Sequence, residues 1–319
     1  MAGTSASGGL SPQPNSRPDY EGCPLCRRPC EFLPSRYGLL RCADCGLVLS
    51  PDIWIPQIDE IMDDAWFGED WDPAASPWLR WFESIGNRRM FDRVRRAGEG
   101  GSLLEVGFGS GTFLAYMQAR GWRVQGCDLS QSVCRRAAGR WAVPTHWGEV
   151  SSLPKDARYD LVVMSHILEH VQDPLGMLGE IRQRMNPGGY LCVTVPNIDC
   201  WEARLPGWIG YQPYHFTYFS RETLTAASIR AGFHIESIWT HEQFASWFQS
   251  IAGTVFPQLG GAARKETRAR LHRRSGTSLV EHAYRAALVG FGLVSLPLRR
   301  LQGRLGRGDE VIMLARRFS

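Results

Sequence analysis

The chain of 319 residues is long enough for one or two domains, and its 44% apolar content is sufficient for a buried core. Its formal net charge of +4 is too small to indicate a polyanionic partner by itself. Residues 1–19 lack the apolar core of a secretory signal, and their glycine, serine and proline content predicts a disordered arm. These features favour a soluble, cytoplasmic protein.

The next segment, residues 20–50, contains two C-x2-C knuckles separated by fifteen residues. Their cysteines are Cys23, Cys26, Cys42 and Cys45. Each knuckle can turn two thiolates toward one ion, and four soft sulfur ligands complete the tetrahedral shell of a structural zinc. The alternatives are two redox disulfides, which a cytoplasmic setting disfavours, or cysteines that are merely close in sequence. We therefore predict a zinc ribbon, although its purpose is not visible in the sequence.

Residues 51–97 are rich in tryptophan, and the run from 77 to 96 has helical periodicity. The aromatic side chains either pack this segment onto the next domain or form a lid over an apolar substrate pocket. We predict a helical linker or lid.

From Ser102 onward, apolar runs of strand length alternate with helical patterns, as in LLEVG, RVQGCD and DLVVMSH. Such runs without a two-residue period indicate a parallel sheet covered by helices. A glycine-rich turn, Gly107-x-Gly109-x-Gly111, follows the first of these strands, and Asp128 ends the second. An acid in that position can bind both hydroxyls of a ribose.

The spacing of this turn argues against a nicotinamide dinucleotide. A dinucleotide fingerprint reads G-x-G-x-x-G and presents a helix N-terminus to a pyrophosphate. Here the final spacing differs, and Glu105 stands two residues ahead of the first glycine. A carboxylate would repel a pyrophosphate but attract an ammonium group. S-adenosyl-L-methionine, which has a ribose and an amino-acid end but no phosphate, fits this pattern better.

Several segments, in order, resemble class I S-adenosylmethionine-dependent methyltransferases, in the branch that includes many small-molecule methyltransferases. They are LLEVGFGSGTFLAYMQARGWRVQGCDLS, YDLVVMSHILEHVQDP, MNPGGYLCVTVPN and YHFTYFSRETLTAASIRAGF, within 102–239, and the closing DEVIMLARR. The resemblance implies a Rossmann-like α/β fold with a seven-stranded sheet, helices on both faces, and a last strand near Glu310–Arg317 inserted antiparallel. We place the methyltransferase core at 98–241, a helical substrate-side insertion at 242–308, and the final strand at 309–319.

The resemblance also implies a cofactor site. Its residues would be Glu105, Gly107, Gly109 and Gly111 at the methionine end, Asp128 at the ribose, and Leu129, Glu149 and Val150 at the adenine. The family more often has aspartate where this sequence has Glu149.

The sequence SHILEH contains His166-x-x-Glu169-His170, which formally matches the H-x-x-E-H pattern of a zinc peptidase. That pattern needs both histidines on one helix, whereas this motif begins at the tip of the fourth strand. The resemblance instead places the three residues at the mouth of the cofactor pocket. There they and His215 are candidates for the base that takes the acceptor's proton. Alternatively, Glu169 and His170 only hold the loop.

The methyl acceptor is indicated only indirectly, by aromatic residues between 201 and 219 and by arginine-rich runs in the insertion. The predicted substrate contacts are Trp201, Trp208, Tyr211, Tyr214 and Tyr218. Aromatic walls beside arginines suggest an amphiphile with an anionic head, such as a prenyl diphosphate, a lipid-linked intermediate, a polyketide or a sugar-containing natural product. Alternatively, the aromatic side chains fill the interface with the insertion.

Two other functions stay open. Zinc ribbons also occur on RNA-modifying enzymes of this fold, and basic runs would suit an rRNA or tRNA substrate. The chain as a whole is barely basic, however, so we predict a small-molecule partner rather than a nucleic acid. A non-catalytic binding protein of the same fold would have no need of Glu105, the three glycines and Asp128.

The longest apolar run, at 283–298, is interrupted by Arg285 and is shorter than the about 20 residues that a membrane span needs. We predict a buried or interfacial helix, and peripheral membrane contact through 283–301 stays open.

Overall fold

The computed structural model describes residues 22–33, 37–51, 77–212, 214–243, 245–256 and 279–318. A seven-stranded sheet and a four-stranded sheet organise these residues. The predicted N-terminal arm and most of the predicted linker lie outside the described residues.

The strands and helices alternate along most of the chain. The strands are β1 (Cys30–Phe32), β2 (Leu40–Cys42), β3 (Val48–Leu49), β4 (Gly101–Val106), β5 (Trp122–Asp128), β6 (Thr145–Trp147), β7 (Tyr159–Ser165), β8 (Met185–Pro196), β9 (Thr217–Tyr218), β10 (Phe233–His241) and β11 (Glu310–Arg317). The helices are α1 (Pro77–Val94), α2 (Thr112–Gln118), α3 (Gln131–Trp141), α4 (Pro174–Gln183), α5 (Arg221–Arg230), α6 (Ser246–Val255), α7 (Leu279–Val294) and α8 (Leu296–Arg304).

The large sheet has the strand order β10-β11-β8-β7-β4-β5-β6. The pairings from β6 to β8 are parallel, whereas β11 lies antiparallel between β8 and β10. The predicted seven-stranded fold and its antiparallel last strand are therefore confirmed. The chain winds from β4 toward β6 on one side and from β7 toward β11 on the other. In such sheets the ligand crevice opens where the winding reverses, at the carboxyl ends of β4 and β7.

Helices cover both faces of this sheet. Along β4, Leu103 packs in the cluster that contains residues of α1, α2 and α3, and Leu104 packs in the cluster that contains residues of α4 and α5. Successive residues of a strand point to opposite faces, so an unbroken apolar run is what a doubly covered strand requires. Each fully buried leucine contributes about 2 kcal/mol to the stability of this core.

The small sheet joins the cysteine-containing segment to the core. Its order is β1-β2-β3-β9, and β9 belongs to the chain that follows the large sheet's β8. Val48 pairs with Tyr218 and Leu49 pairs with Thr217, antiparallel. The ribbon is therefore continuous with the core through a shared pair of strands.

The apolar run near the C-terminus forms two helices. Helix α7 ends at Val294, and α8 begins at Leu296. Pro297 lies in the first turn of α8, where a proline is tolerated because the backbone nitrogens there have no partner within the helix. The indole nitrogen of Trp247 on α6 donates a hydrogen bond to Oε1 of Gln302 at 2.8 Å, which ties α8 to α6. Within the residues that the structure describes, none of the helices has the length and apolar character needed to span a membrane.

Candidate active site and metal centre

The four predicted metal ligands converge within the ribbon. Sγ of Cys23 lies 3.4 Å from Sγ of Cys45, Sγ of Cys26 lies 3.4 Å from Sγ of Cys42, and all four atoms lie within 4.8 Å of one another. A disulfide bond is about 2.05 Å long. A tetrahedron of sulfur ligands with bonds of about 2.3 Å has edges of about 3.8 Å. The cluster therefore suits one tetrahedral ion better than two disulfides.

The glycine turn provides bare backbone at the crevice. Gly107, Gly109 and Gly111 have φ values of 66°, 53° and 72°, in the left-handed region that favours glycine. A Cβ on Gly107 would lie 1.9 Å from Cδ1 of Ile167. The turn therefore packs directly against the SHILEH loop that follows β7, so the two sequence motifs meet in one site.

Two buried acids end the adjacent strands β4 and β5. Glu105 and Asp128 are 7% and 5% exposed. Oδ1 of Asp128 accepts a hydrogen bond from the backbone nitrogen of Ser130 at 2.9 Å. Among the described residues, Oε2 of Glu105 and Oδ2 of Asp128 have no hydrogen-bond partner. Burial, with the negative charges of Asp128 and Glu83, raises the pKa of Glu105 to about 8.

Such a pair of acids suits a particular kind of ligand. A buried polar atom without a partner is unfavourable, so these oxygens favour a ligand that brings hydrogen-bond donors and positive charge. A ribose and an ammonium group supply both. The residues present therefore fit the predicted cofactor, S-adenosyl-L-methionine.

Apolar side chains flank this pair where an adenine would lie. Leu129 is 46% exposed and Trp147 is 58% exposed, and the Trp147 indole nitrogen donates a hydrogen bond to the backbone oxygen of Leu129 at 3.0 Å. Val150 is buried in the short 3-10 turn Val150–Ser152, and the carboxylate of Glu149 is exposed. Trp147 was not among the residues predicted from the sequence, although its position at the end of the third strand of the core was a usable signal.

Helix α1 lies against the start of α2. The hydroxyl of Thr112 donates a hydrogen bond to Oε2 of Glu83 at 2.8 Å and lies 3.5 Å from Oδ1 of Asn87. The sequence predicted a helical linker or lid here, but Glu83 was not among the predicted site residues, because one acid on a polar helix face carries no distinguishing signal.

His166 lies between two carboxylates. Its Nδ1 is 3.2 Å from Oε1 of Glu169, and its Nε2 is 2.8 Å from Oε1 of Glu310. A ring with a carboxylate at each nitrogen donates through both, and is therefore an imidazolium. Burial opposes this charge, but the hydrogen bonds to Glu169 and Glu310 outweigh it and raise the pKa of His166 to about 10. A protonated ring has no lone pair with which to take another proton.

Glu310 was not among the residues predicted from the sequence. It is the first residue of β11, and besides His166 it contacts Nη2 of Arg93 at 3.7 Å and accepts a hydrogen bond from Nε2 of Gln243 at 2.6 Å. His166 has a φ of 55°, in the left-handed region that is uncommon for a residue with a side chain.

Glu169, His170 and His215 form the neighbouring cluster. Each offers one ligand atom, and these three atoms lie within 4.8 Å of one another. The rings of His170 and His215 meet edge to face with centroids 4.6 Å apart. Nδ1 of His215 and Oε2 of Glu169 are buried and lack a hydrogen-bond partner in the described part of the chain.

The charges of this cluster follow from its surroundings. Burial and the charge of His170 lower the pKa of His215 to about 3, so the ring is neutral at physiological pH. Burial opposes ionisation of Glu169, but its hydrogen bond to His166 outweighs burial and lowers the pKa of Glu169. A neutral imidazole beside a carboxylate can accept a proton, and the same three groups could hold a divalent cation. His166 lies outside the short turn Leu168–His170, so the two histidines of the H-x-x-E-H pattern do not share a helix.

The five predicted substrate aromatics lie in different surroundings. Tyr214 stacks on His170 with ring centroids 5.5 Å apart and meets His215 edge to face at 5.7 Å. Trp201 is half-buried in the 3-10 turn Trp201–Arg204. Of these two, Tyr214 is therefore the one that adjoins the histidine cluster.

The other three aromatics lie against the ribbon. Trp208, Tyr211 and Tyr218 share an apolar cluster with Leu39 and Val48. Trp208 is 4% exposed and Tyr218 is 1% exposed. These two side chains are therefore buried in an apolar cluster between the core and the ribbon, an interface that the sequence did not predict.

The fold and the crevice are those expected of an S-adenosylmethionine-dependent methyltransferase domain. Residues 82–238 match the family described as the methyltransferase domain. This confirms the resemblance found in the sequence.

Two curated relatives and one solved structure extend the comparison. A candidate S-adenosylmethionine-dependent methyltransferase of Mycolicibacterium smegmatis is 27% identical over 172 residues, or 53% of this chain and 65% of the relative. A ubiquinone biosynthesis O-methyltransferase of Leptothrix cholodnii is 30% identical over 137 residues, or 40% of this chain and 57% of the relative. The chain thus spans about three-fifths of the length of these relatives. A candidate sarcosine dimethylglycine methyltransferase from Galdieria sulphuraria shares the fold, with a TM-score of 0.51, 12% identity, and coverage of 77% of this chain and 91% of that chain.

Proposed function

We propose that this protein transfers a methyl group from S-adenosyl-L-methionine to an oxygen or carbon atom of a small amphiphilic metabolite. The observation that carries the proposal is the meeting of two sets of buried groups. The unused oxygens of Glu105 and Asp128 suit the cofactor, and the cluster of Glu169, His170 and His215 suits an acceptor that must lose a proton. The contact between Gly107 and Ile167 brings the two sets together.

The first set would bind the cofactor. Glu105 would accept hydrogen bonds from its ammonium group and Asp128 from its ribose hydroxyls, with Leu129 and Trp147 against the adenine. The cofactor supplies a methyl group already activated by a positively charged sulfur. The protein then has to align the acceptor and exclude water, and such positioning can lower a barrier by about 7 kcal/mol or more.

The second set would remove the proton of the acceptor. We assign this role to His215, because its ring is neutral and its buried Nδ1 makes no hydrogen bond with the described residues. The neighbouring carboxylate of Glu169 would stabilise the imidazolium that forms, as an acid does beside a catalytic histidine. His166, whose ring nitrogens both donate to carboxylates, would hold Glu169 in place rather than act as the base.

Two observations support an amphiphilic acceptor. Several relatives are named as ubiquinone biosynthesis O-methyltransferases, which supports an oxygen acceptor. Five apolar side chains are also exposed at the end of α7, on α8 and just after it: Leu293, Val294, Leu298, Leu301 and Leu305, each at least 48% exposed. Arg300 and Arg304 are exposed on the same helix.

We extend the proposal to peripheral contact of this surface with an anionic lipid layer. Apolar side chains flanked by arginines are the chemistry of helices that lie in a membrane interface. Sedimentation with vesicles that contain phosphatidylglycerol should carry down the wild type, and the double variant L298E/L301E should stay in solution. Equal sedimentation of both would contradict this extension.

The four cysteines of the ribbon would hold one structural zinc ion. Four thiolates leave no position open for chemistry, so the metal would stabilise the ribbon and take no part in methyl transfer.

A labelling experiment tests the proposed function. Wild type and Asp128→Ala are incubated with methyl-labelled S-adenosylmethionine and a fractionated cell extract, and label is counted in nucleic acid, protein, polar-metabolite and organic fractions. Label from the wild type alone in a small-molecule fraction is the expected result. Label in RNA would overturn the proposal in favour of an RNA methyltransferase, and no label in any fraction would favour a binding protein. A rate that rises with added magnesium would assign Glu169, His170 and His215 to a cation instead.

A further inference from the structure

A short hydrogen-bonded path leads from the ribbon into the histidine cluster. Beyond the β3–β9 pairing, the backbone nitrogen of Ser50 donates to the backbone oxygen of Phe216 at 3.2 Å. The backbone nitrogen of Phe216 in turn donates to the backbone oxygen of Glu169 at 2.8 Å. His215, the proposed base, is the residue next to Phe216. The end of the ribbon is therefore two hydrogen bonds away from the backbone of Glu169.

A series of contacts between aromatic rings forms a second path from the ribbon to the histidine cluster. Tyr37 of the ribbon stacks on Tyr211 with centroids 4.0 Å apart, and Tyr211 stacks on Tyr218 at 6.2 Å. Tyr218 then contacts the ring of His215 at 5.6 Å. The hydroxyl of Tyr37 also donates a hydrogen bond to the backbone oxygen of Leu205 at 2.8 Å. Ring contacts of this kind fix relative positions, because each adds buried area in a preferred geometry.

The metal ligands hold the strand from which the first path starts. The ribbon strands are only two or three residues long, too short to be stable on their own. The backbone nitrogen of Cys42 donates to the backbone oxygen of Leu47 at 2.9 Å, and β3 begins three residues after Cys45. A metal bound by the second knuckle would fix this turn, and with it the position of β3.

The cofactor residues lie on strands that the ribbon does not pair with, although Leu47 and Leu49 of the ribbon share an apolar cluster with Leu104 of β4. Glu105 and Asp128 end β4 and β5, which lie on the other side of β7 from β8, β11 and β10. The ribbon contacts named above reach Leu205, Tyr211, Phe216, Thr217 and Tyr218 instead. Changes in the ribbon should therefore leave cofactor affinity almost unaltered.

We propose that the metal-bound ribbon is a brace for the acceptor half of the active site. It holds β9 and the adjoining residues, and so positions His215 and the backbone of Glu169. On this proposal the ribbon stabilises the small-molecule site of the same protein and does not bind nucleic acid. The role of His215 as the base rests on the proposed function, but the stabilising effect of the ribbon can be tested without an acceptor.

The test compares a double cysteine variant with a control variant in the full-length protein. Cys42→Ser with Cys45→Ser removes two metal ligands, and Glu31→Gln, at an exposed position of β1, is the control in the same ribbon. Zinc content, hydrogen exchange of peptides that cover 214–219, and the affinity for S-adenosylhomocysteine are measured for each. We expect the double variant to lose its zinc and to exchange at least tenfold faster over 214–219. Its affinity for S-adenosylhomocysteine should stay within twofold of the wild type, and Glu31→Gln should match the wild type throughout.

Removal of zinc from the wild type by a chelator, followed by zinc alone, separates the brace from a folding defect of the variant. Exchange over 214–219 should rise and then return to its first value. Unchanged exchange over 214–219 after loss of zinc would overturn the proposal. So would equally faster exchange throughout the chain with loss of S-adenosylhomocysteine binding, because the metal would then support the whole protein.

Discussion

The cofactor half and the acceptor half of the proposed site are built in different ways. Glu105 and the glycine turn come from one strand–turn–helix unit, and Asp128 ends the strand that pairs beside it. The acceptor half gathers His166 and Glu169 from the loop after β7, His215 from the segment before β9, and Glu310 from the last strand. Enzymes that share one cofactor can bind it with the same local unit. An acceptor site assembled from distant segments can differ between such enzymes without altering that unit.

The two halves also differ in how their charges are balanced. In the cofactor half, burial raises the pKa values of Glu105 and Asp128, and the described residues leave an oxygen of each unpaired. In the acceptor half, burial opposes ionisation of Glu310, but its hydrogen bond to His166 lowers its pKa to about 2. The acids of the first half therefore favour the protonated form until a positively charged ligand binds, whereas Glu169 and Glu310 of the second half are ionised beside the charged ring of His166.

The largest expected effect concerns the proposed base in the acceptor half. Replacement of His215 by Gln should lower the rate of methyl transfer by about 10²–10⁴-fold, the usual contribution of a positioned general base. Affinity for S-adenosylhomocysteine should not change, because the cofactor half is intact. His234→Gln is the control, since His234 is exposed and meets the ring of Phe318 edge to face. Loss of cofactor affinity in His215→Gln would show that the two halves are not separate.

The next effect concerns the ribose contact in the cofactor half. Asp128→Ala should weaken S-adenosylhomocysteine binding about 100-fold or more, because hydrogen bonds to a charged group contribute about 1.5–3 kcal/mol each. Titration calorimetry measures this, with circular dichroism to verify the fold. The exposed Asp156→Ala should bind as the wild type does. Unchanged binding by a folded Asp128→Ala would remove the cofactor assignment.

A smaller effect is the pH dependence of cofactor affinity. Below its pKa of about 8, Glu105 carries a proton in the free protein, and an ammonium ligand favours the ionised form. Affinity for S-adenosylhomocysteine should therefore rise by up to about tenfold per pH unit between pH 6 and 8 and then level off, with a proton released on binding. Glu105→Gln should flatten the profile, and an equally steep profile in that variant would assign the titration to another group.

The same shift has a consequence for stability. The folded-state pKa of Glu105 lies above its usual value of 4.5, so between these values the folded protein holds a proton that the unfolded chain has lost. The free protein should accordingly lose stability as the pH rises from about 5 to 8. Glu105→Gln, which has no charge to bury, should lose less over this range in urea unfolding.

The smallest effect concerns the contact between the two halves. Ala at Gly107 and at Gly121 both place a side chain at positive φ, 66° and 85°, but only at Gly107 would the new Cβ meet another side chain, Ile167, because nothing lies within 4 Å at Gly121. We expect Gly121→Ala to destabilise by about 1 kcal/mol and Gly107→Ala by about 1–3 kcal/mol more. Urea unfolding measures both, and equal losses would argue against a tight contact between the turn and the loop.

The elements that the sequence predicted well are those with a local cause. Alternating apolar and helical patterns depend on neighbouring residues, so the parallel strands of the core and the helix from Pro77 could be foreseen. The number of seven strands and the antiparallel last strand were implied only by the family resemblance. The three glycines could be foreseen too, because a left-handed backbone needs glycine wherever it occurs. The spacing of the four cysteines likewise predicted that they share one metal site, and their sulfur atoms lie close together as such a site requires.

The rest depended on which distant segments meet. Glu310 looks like any first residue of a strand until the strand order places it against His166, and the sequence likewise contains no sign that the ribbon would share β9 with the core. The sequence by itself determined the class of fold and the acids and glycines of the cofactor half, since local spacing fixes backbone conformation and side-chain direction. Only the tertiary structure decided that His166 is charged, that His215 is neutral, and which part of the core the ribbon contacts. Each of these depends on contacts between residues that are far apart in the chain.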